Sequence, residues 1–450
     1  AMDAAAGVGF ALSVVQPQQN GIGGEVPMLV YSAEEKKVWA VSGHGGAPKE
    51  ATLEKFLGMG LSMILSYGFH GAMVRLLSPN SYGNLSILAA FFMIATLPAM
   101  SIQGLMSREI AKLDGKDEDR INNLIKKYLK KTIIWGCVAA FVLSSAGLMV
   151  TGSLSVLTIA MVLTFFSIPF AYASGIINGY YQGREKLFEL AAVFNAPVFL
   201  RLIVAFSLVV VGFDIIGASA SFLLGFLLII PAIAFVHGWF SKEKGSIGLD
   251  VDESFVRVLG TNMFMMIFIS CDLFMVWFLK GGEMAAYYNA AAVTSRIPFY
   301  ISTSVVFVLL PQASKLTFSD RKELAVRFMK SLLLVIPFAP LFALASYPLL
   351  SLLYKPAYAE MGAGAFAILG VAMVVLGVAN LLVNILWSQR KETVPLLLSA
   401  ILIPVQVILL YMLIPGRNLE GAAIATLITS ALFLVGSTFA VIYYSLSHKA

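Results

Sequence analysis

Three ionisable side chains lie deep inside apolar runs of this sequence: Arg201 in the run 187–211, Asp272 in 255–279 and Arg296 in 286–310. A charge left facing lipid costs about 2.5–3.5 kcal/mol or more, so such groups turn inward, toward one another or toward a cavity. The guanidinium fork presents parallel N–H donors that match a phosphate-bearing anion. Two deep arginines therefore read as cavity cations. Asp272 then either pairs with Arg296 while the site is empty or takes up a proton or sodium ion. A purely structural arrangement uses the same residues differently: Asp272 and Arg296 lock one hairpin, and Arg201 is satisfied by backbone carbonyls exposed near Pro197. Arg75 ends the first apolar run, where it either snorkels to the interface or acts at a gate. The candidate substrate-binding residues are Arg201, Arg296 and Arg75, with Asp272 in a coupling or pairing role.

Those positions have meaning only in a membrane. The 450 residues are 59% hydrophobic and 12% charged, with a mean hydropathy of +0.86, too little charged surface for soluble domains of that total length. Apolar runs near 57–77, 84–106, 132–152, 154–178, 187–211, 214–237, 255–279, 286–310, 328–352, 361–387, 394–414 and 420–446 can each cross a hydrocarbon core. They are too long and continuous for barrel strands. The expected fold class is an all-α polytopic membrane protein of about 12 transmembrane helices in two six-helix bundles.

The net charge of +6 and pI near 9.1 do not point to nucleic acid, because the basic residues gather in alternate short loops. Arg108, Lys112, Lys116, Arg120, Lys126, Lys127, Lys130 and Lys131 follow the second run; Arg184, Lys186, Lys242, Lys244, Arg257, Lys315, Arg321, Lys322, Arg327, Lys330, Arg390 and Lys391 mark later ones, and Lys449 the tail. The intervening loops hold only Lys280, Lys355 and Arg417. The positive-inside rule then places both ends of the bundle in the cytoplasm, in the cytoplasmic membrane. Arg120 to Lys131 also has the form of a segment resting on anionic lipid. Cys137 and Cys271 lie in separate apolar runs and form no disulfide framework or CxxC pair. Pro169, Pro197, Pro298 and Pro395 would bend their spans. Tyr172, Tyr180, Tyr181, Trp239, Trp277, Trp387, Tyr443 and Tyr444 read as an interfacial belt.

Compared with itself, the chain aligns Tyr82-Gly83-Asn84 with Tyr287-Tyr288-Asn289, and Arg75 with Lys280, at one common offset. With six helices on each side, this favours a duplicated transporter of halves 55–240 and 250–450 around a midline cavity. The stretch Arg75-Leu76-Leu77-Ser78-Pro79-Asn80-Ser81-Tyr82-Gly83 resembles the segment that closes the first helix of polysaccharide-biosynthesis (O-antigen type) flippases. Ser107-Arg108-Glu109-Ile110-Ala111, Gln182-Gly183-Arg184, Asp272 followed by Tyr287-Tyr288-Asn289, and Pro311 are similar to that family in order and spacing. The resemblance covers about 53–450 and extends to the multidrug/oligosaccharidyl-lipid/polysaccharide exporter superfamily. It implies an inverted V of two bundles that turns a lipid-diphosphate-linked glycan from the inner to the outer leaflet. Its partners would be that glycan, membrane lipid, a proton or sodium ion and glycan polymerase or ligase machinery. A multidrug antiporter of the same superfamily would need deep acidic residues, and Asp272 alone stands against two deep arginines.

Residues 1–54 differ in character, being rich in small residues and glycine and interrupted by Glu34-Glu35-Lys36-Lys37. Ala1 to Gly7, Val15-Gln16-Pro17, Gly21-Ile22-Gly23-Gly24, Met28-Leu29-Val30-Tyr31 and Ala47-Pro48 closely resemble an early segment of gamma-glutamyltransferases. The expected local structure is a helix to Val15, a Gly-rich turn, and a hairpin of strands near 26–32 and 37–42. That family's catalytic threonine subunit has no counterpart here, and Gly45-Gly46 stand where it carries an arginine and a glutamate. The fragment is read as a fused or mis-joined, inactive piece; the N-terminus is expected to be truncated and to carry no signal peptide. His44, His70, His237 and His448 show no metal-ligand spacing, no P-loop is present, and no cofactor is expected. The protein is accordingly expected to be no enzyme.

Overall fold

A computed structural model describes residues 28–32, 37–41, 49–51, 53–112, 118–153, 155–236, 238, 253–299, 336–388, 391 and 393–447. Three short strands come first: β1 Met28–Ser32, β2 Lys37–Val41 and β3 Lys49–Ala51. They pair antiparallel in sequence order, with Met28 opposite Val41 and Val38 opposite Ala51. The hairpin expected from the alternation near 26–32 and 37–42 is present. The helix expected up to Val15 and the Gly-rich turn lie outside the described residues, as do Ala47-Pro48 and Pro311.

From Leu53 onward every described residue belongs to a helix or a short turn. The helices are α1 Leu53–Leu76, α2 Pro79–Lys112, α3 Glu118–Thr151, α4 Val156–Phe165, α5 Ile168–Gly183, α6 Leu187–Leu208, α7 Asp214–Val236, α8 Glu253–Ser295, α9 Phe338–Leu344, α10 Ser346–Leu353, α11 Pro356–Ser388 and α12 Thr393–Ser447. Seven stretches among the described residues are long and apolar enough to cross a membrane. Three of them, Phe188–Leu227, Leu259–Phe299 and Thr393–Tyr444, are 40, 41 and 52 residues long. A straight helix of 40 residues would run about 60 Å, twice the hydrocarbon thickness. Each doubles back instead, through Val209–Phe213, at Gly281 and at Asn418. Gly281 has φ 85°, a conformation that its missing Cβ makes accessible. With α1, the α4–α5 pair and the helices leading into α11, the pattern is that of the expected twelve crossings.

Proline explains the breaks inside spans. The run 154–178 is interrupted at Phe166 and Ser167, and α5 starts with Pro169 in its first turn, where a missing N–H costs nothing. Ser155 caps α4 by accepting from the Thr158 N–H. In the second limb of α8 the ladder ends in a turn at Arg296, two residues before Pro298, which has no N–H to offer Thr294. The turns at 77–78, 209–213, 281, 354–355 and 418 are all tight and alternate with the basic connections along the chain.

The core is divided unequally. One cluster joins both halves, running from Phe69, Met73 and Tyr82 to Ala285, Tyr288 and Tyr358. Toward the basic loops it gives way to two separate clusters, one around Met106, Ile125 and Ile177 and the other around Met265, Leu376 and Phe433. The halves thus share packing at the tight-turn end and part company at the basic end. The closest approach is at Gly83, where an added Cβ would stand 1.7 Å from the Gly282 carbonyl oxygen.

The interfacial-belt expectation needs correction for residues in this packing. Trp277 donates its Nε1–H to Asn84 Oδ1 at 2.7 Å, and the Tyr172 hydroxyl donates to the Ala95 carbonyl at 2.9 Å. Tyr180 and Tyr181 are buried as well, whereas Tyr443 is exposed. An indole or phenol with an internal acceptor has no need of the headgroup layer. Trp239 and the side chain of Trp387 lie outside the described residues.

Candidate functional site

Arg201 occupies α6 one turn beyond Pro197. Its guanidinium carbon stands 4.7 Å from the Phe69 ring centroid and 4.8 Å from that of Phe222, so α1 and α7 each supply an aromatic face. Among the described residues no hydrogen bond holds it, and its Nε is sealed without a partner. The Pro197 carbonyl is packed against Gly225; the arginine does not use it. The charge is thus carried by ring quadrupoles, which leave the outer guanidinium nitrogens unclaimed.

Arg296 projects from the turn that ends α8 and donates from Nη2 to the Ile269 carbonyl at 3.0 Å. Asp272, one helical turn beyond Ile269 in the first limb of α8, is 1% exposed. Its Oδ2 accepts from Tyr288 at 2.7 Å and from Thr426 at 3.1 Å, and its Oδ1 from the Leu273 N–H at 2.7 Å. A direct Asp272–Arg296 ion pair, one of the two arrangements expected for this hairpin, is not formed. The carboxylate is already claimed by three donors, and the two charges act on each other through space.

Both Arg201 and Arg296 act electrostatically on a residue that spacing did not single out. His70 of α1 lies within electrostatic reach of both guanidinium groups. Its ring stands edge-on to Phe69, the ring that also bears Arg201, at 5.6 Å. His70 Nδ1 is 3.2 Å from the Tyr82 hydroxyl. Asn289 Nδ2 donates to that hydroxyl at 3.1 Å and to Ser86 Oγ at 2.9 Å, and Ser86 Oγ donates to the Tyr82 carbonyl at 2.8 Å. His70 of α1 thus shares the Phe69 ring with Arg201 of α6, feels the charge of Arg296 of α8, and is backed by a hydrogen-bond chain from α2 to α8. Arg75 does not join them: it is exposed in the last turn of α1. The signal that pointed toward the cluster was the repeated triplet, which contains both Tyr82 and Asn289. Nothing in the spacing marked His70, because a lone histidine on an apolar helix has no periodicity of its own.

Amide side chains within the spans find different partners. Gln103 donates to Gln182 at 2.8 Å between α2 and α5, while Asn195 and Asn384 bond back to carbonyls of their own helices. Asn178 is buried and Asn262 exposed; Gln389 lies outside the described residues. Among the described residues no group of three or more His, Cys, Asp or Glu is placed to hold a metal ion.

Two family models match the chain. One, described as polysaccharide biosynthesis protein, matches residues 52–317, and one described as gamma-glutamyltranspeptidase matches residues 1–74. No curated protein matches. Among solved structures, the inward-facing conformation of a multidrug resistance MATE family transporter of the MOP superfamily superposes with a TM-score of 0.68 at 13% identity, over 88% of this chain and 99% of that one. The lipid II flippase MurJ in an inward closed conformation gives 0.66 at 16% identity, over 87% of each chain. An outward-facing MATE family transporter gives 0.61 at 13% identity, over 88% and 94%. These likenesses establish the fold, a multi-pass membrane bundle of twelve helices.

Proposed function

Because the chain belongs to the polysaccharide biosynthesis protein family, we propose that it is a flippase carrying a lipid-diphosphate-linked oligosaccharide across the cytoplasmic membrane by alternating access. The observation that supports this reading is that Arg201 shares the Phe69 ring with His70, and that both Arg201 and Arg296 act on that histidine, whose hydrogen-bond chain crosses between the halves. An Arg201 guanidinium with no acceptor among the described residues and an Arg296 guanidinium that spends one nitrogen on the Ile269 carbonyl keep N–H donors for a diphosphate in a low-dielectric interior, and the glycan would extend into the space where the halves separate. Arg201 and Arg296 hold the headgroup. Arg75, exposed at the tight-turn end, would meet it on exit. The halves 55–240 and 250–450 would be the bodies that rock against each other.

The basic-loop end is read as cytoplasmic, so the closed tight-turn end faces outward and the arrangement accepts substrate from the inner leaflet. Asp272 is the coupling residue in this reading. Sealed by Tyr288 and Thr426, it is poorly placed to meet an organic cation, which weighs against a multidrug antiporter. It remains suited to a proton or sodium ion. The polymerase or ligase that consumes the glycan on the far side would drive net flow. The N-terminal strands contribute no chemistry to this scheme, and the protein is read as a transporter and not an enzyme.

In cells lacking the gene, lipid-linked glycan should accumulate on the inner leaflet. Wild type should clear it and Arg296→Ala should not, at equal protein level. Clearance by Arg296→Ala would remove the arginine from the mechanism, and normal glycan export in the deletion strain would overturn transport altogether.

A further inference from the structure

The chain of hydrogen bonds behind His70 fixes the direction of each bond as far as the Tyr82 hydroxyl, and only His70 then offers that hydroxyl's own proton an acceptor among the described residues. Ser86 Oγ donates to the Tyr82 main-chain carbonyl, which can only accept, so Ser86 Oγ must accept from Asn289. The atom of Asn289 facing it is therefore the amide nitrogen. That same Nδ2 faces the Tyr82 hydroxyl oxygen, which is thereby an acceptor as well. The Tyr82 proton then has His70 Nδ1 as its acceptor among the described residues. A ring whose Nδ1 accepts carries its proton on Nε2. His70 Nε2 has no protein partner among the described residues and is not sealed, and the ring sits between the reach of Arg201 and Arg296.

We propose that His70 is a third binding group of the site, a neutral N–H donor to the substrate's diphosphate whose tautomer is set by Asn289 through Tyr82. This rests on the flippase reading above. Asn289 belongs to α8 and Tyr82 to α2, so the bond between them crosses from one half of the molecule to the other. When α2 and α8 separate, the Tyr82 hydroxyl loses its donor and is free to accept from Nδ1–H. The proton of His70 then shifts to Nδ1, and Nε2 turns a lone pair toward the phosphate oxygens. The donor that helps to bind the substrate in the closed-outside state becomes a repelling acceptor once that side opens. Release is thereby coupled to the motion that exposes the site.

The test is nitrogen-15 NMR of histidine-labelled protein in lipid nanodiscs, alongside calorimetric binding of farnesyl diphosphate. Wild type should show His70, identified by its loss in His70→Gln, as the Nε2–H tautomer. Asn289→Asp cannot donate to Tyr82 and should move His70 to Nδ1–H, weakening farnesyl diphosphate binding about tenfold. Tyr82→Phe, which keeps the packing, should give a mixture of tautomers and an intermediate affinity. His70→Gln, with an amide nitrogen near the Nε2 position, should retain most of the affinity, whereas His70→Asn should not. An Nδ1–H or doubly protonated His70 in wild type, or an unchanged tautomer and affinity in both Asn289→Asp and Tyr82→Phe, overturns the proposal while leaving the flippase reading intact. Failure of wild type to bind farnesyl diphosphate overturns that reading, and the donor role with it.

Discussion

Arg201 holds its charge against two aromatic faces where a carboxylate would be the usual partner, and this choice has chemical consequences. A carboxylate would compete with an incoming phosphate for the guanidinium, whereas Phe69 and Phe222 stabilise the cation without occupying its N–H donors. A lysine keeps the charge but not the planar face. Arg201→Lys should therefore bind farnesyl diphosphate about tenfold more weakly than wild type, as calorimetry would register. Equal affinity would make charge alone sufficient. Asp272 illustrates the opposite economy: three donors saturate its carboxylate, so it serves its own half and leaves Arg296 available. Its chemistry was legible in the sequence, but its partners were not. Tyr288 lies on the same folded helix, and Thr426 is brought alongside only by the packing of α12 on α8.

At the scale of elements, the contact between α2 and α8 brings backbone against backbone at the tight-turn end. Gly83 lies against Gly282, and an added Cβ at Gly282 would stand 2.4 Å from Asn80 Oδ1, so backbone meets backbone with no room for a side chain. Gly83→Val should drive these helices apart and favour the outward-open state. A cysteine introduced at buried Ser86 should then react with a membrane-impermeant maleimide added outside, at a rate at least several-fold above that in the Gly83 background. Unchanged protection would show that the contact does not gate. The tight turns at this end suit such closure, because short connections let helix ends pack together.

Across the whole molecule, one core spans both halves at the tight-turn end and two separate cores lie toward the basic loops, a division suited to rocking. The strands Met28–Ser32, Lys37–Val41 and Lys49–Ala51 precede the first membrane helix in the chain. A chain beginning at Leu53 should support glycan export at close to the wild-type level; loss of export with normal membrane insertion would give the N-terminal piece a role. Hydropathy alone determined the membrane class, the twelve crossings and their alternation of basic loops, because lipid imposes its demand residue by residue along each span. The deep charges were legible for the same reason: nothing else in an apolar run carries so high a desolvation cost. Only the tertiary structure decided that Arg201 rests on Phe69 and Phe222, that Asp272 turns to Tyr288 and Thr426, and that His70 meets Tyr82 and shares the Phe69 ring with Arg201. Those neighbours come from helices far apart in the chain, and which faces meet is set by packing and by where glycine lets backbones touch, information that no local periodicity contains.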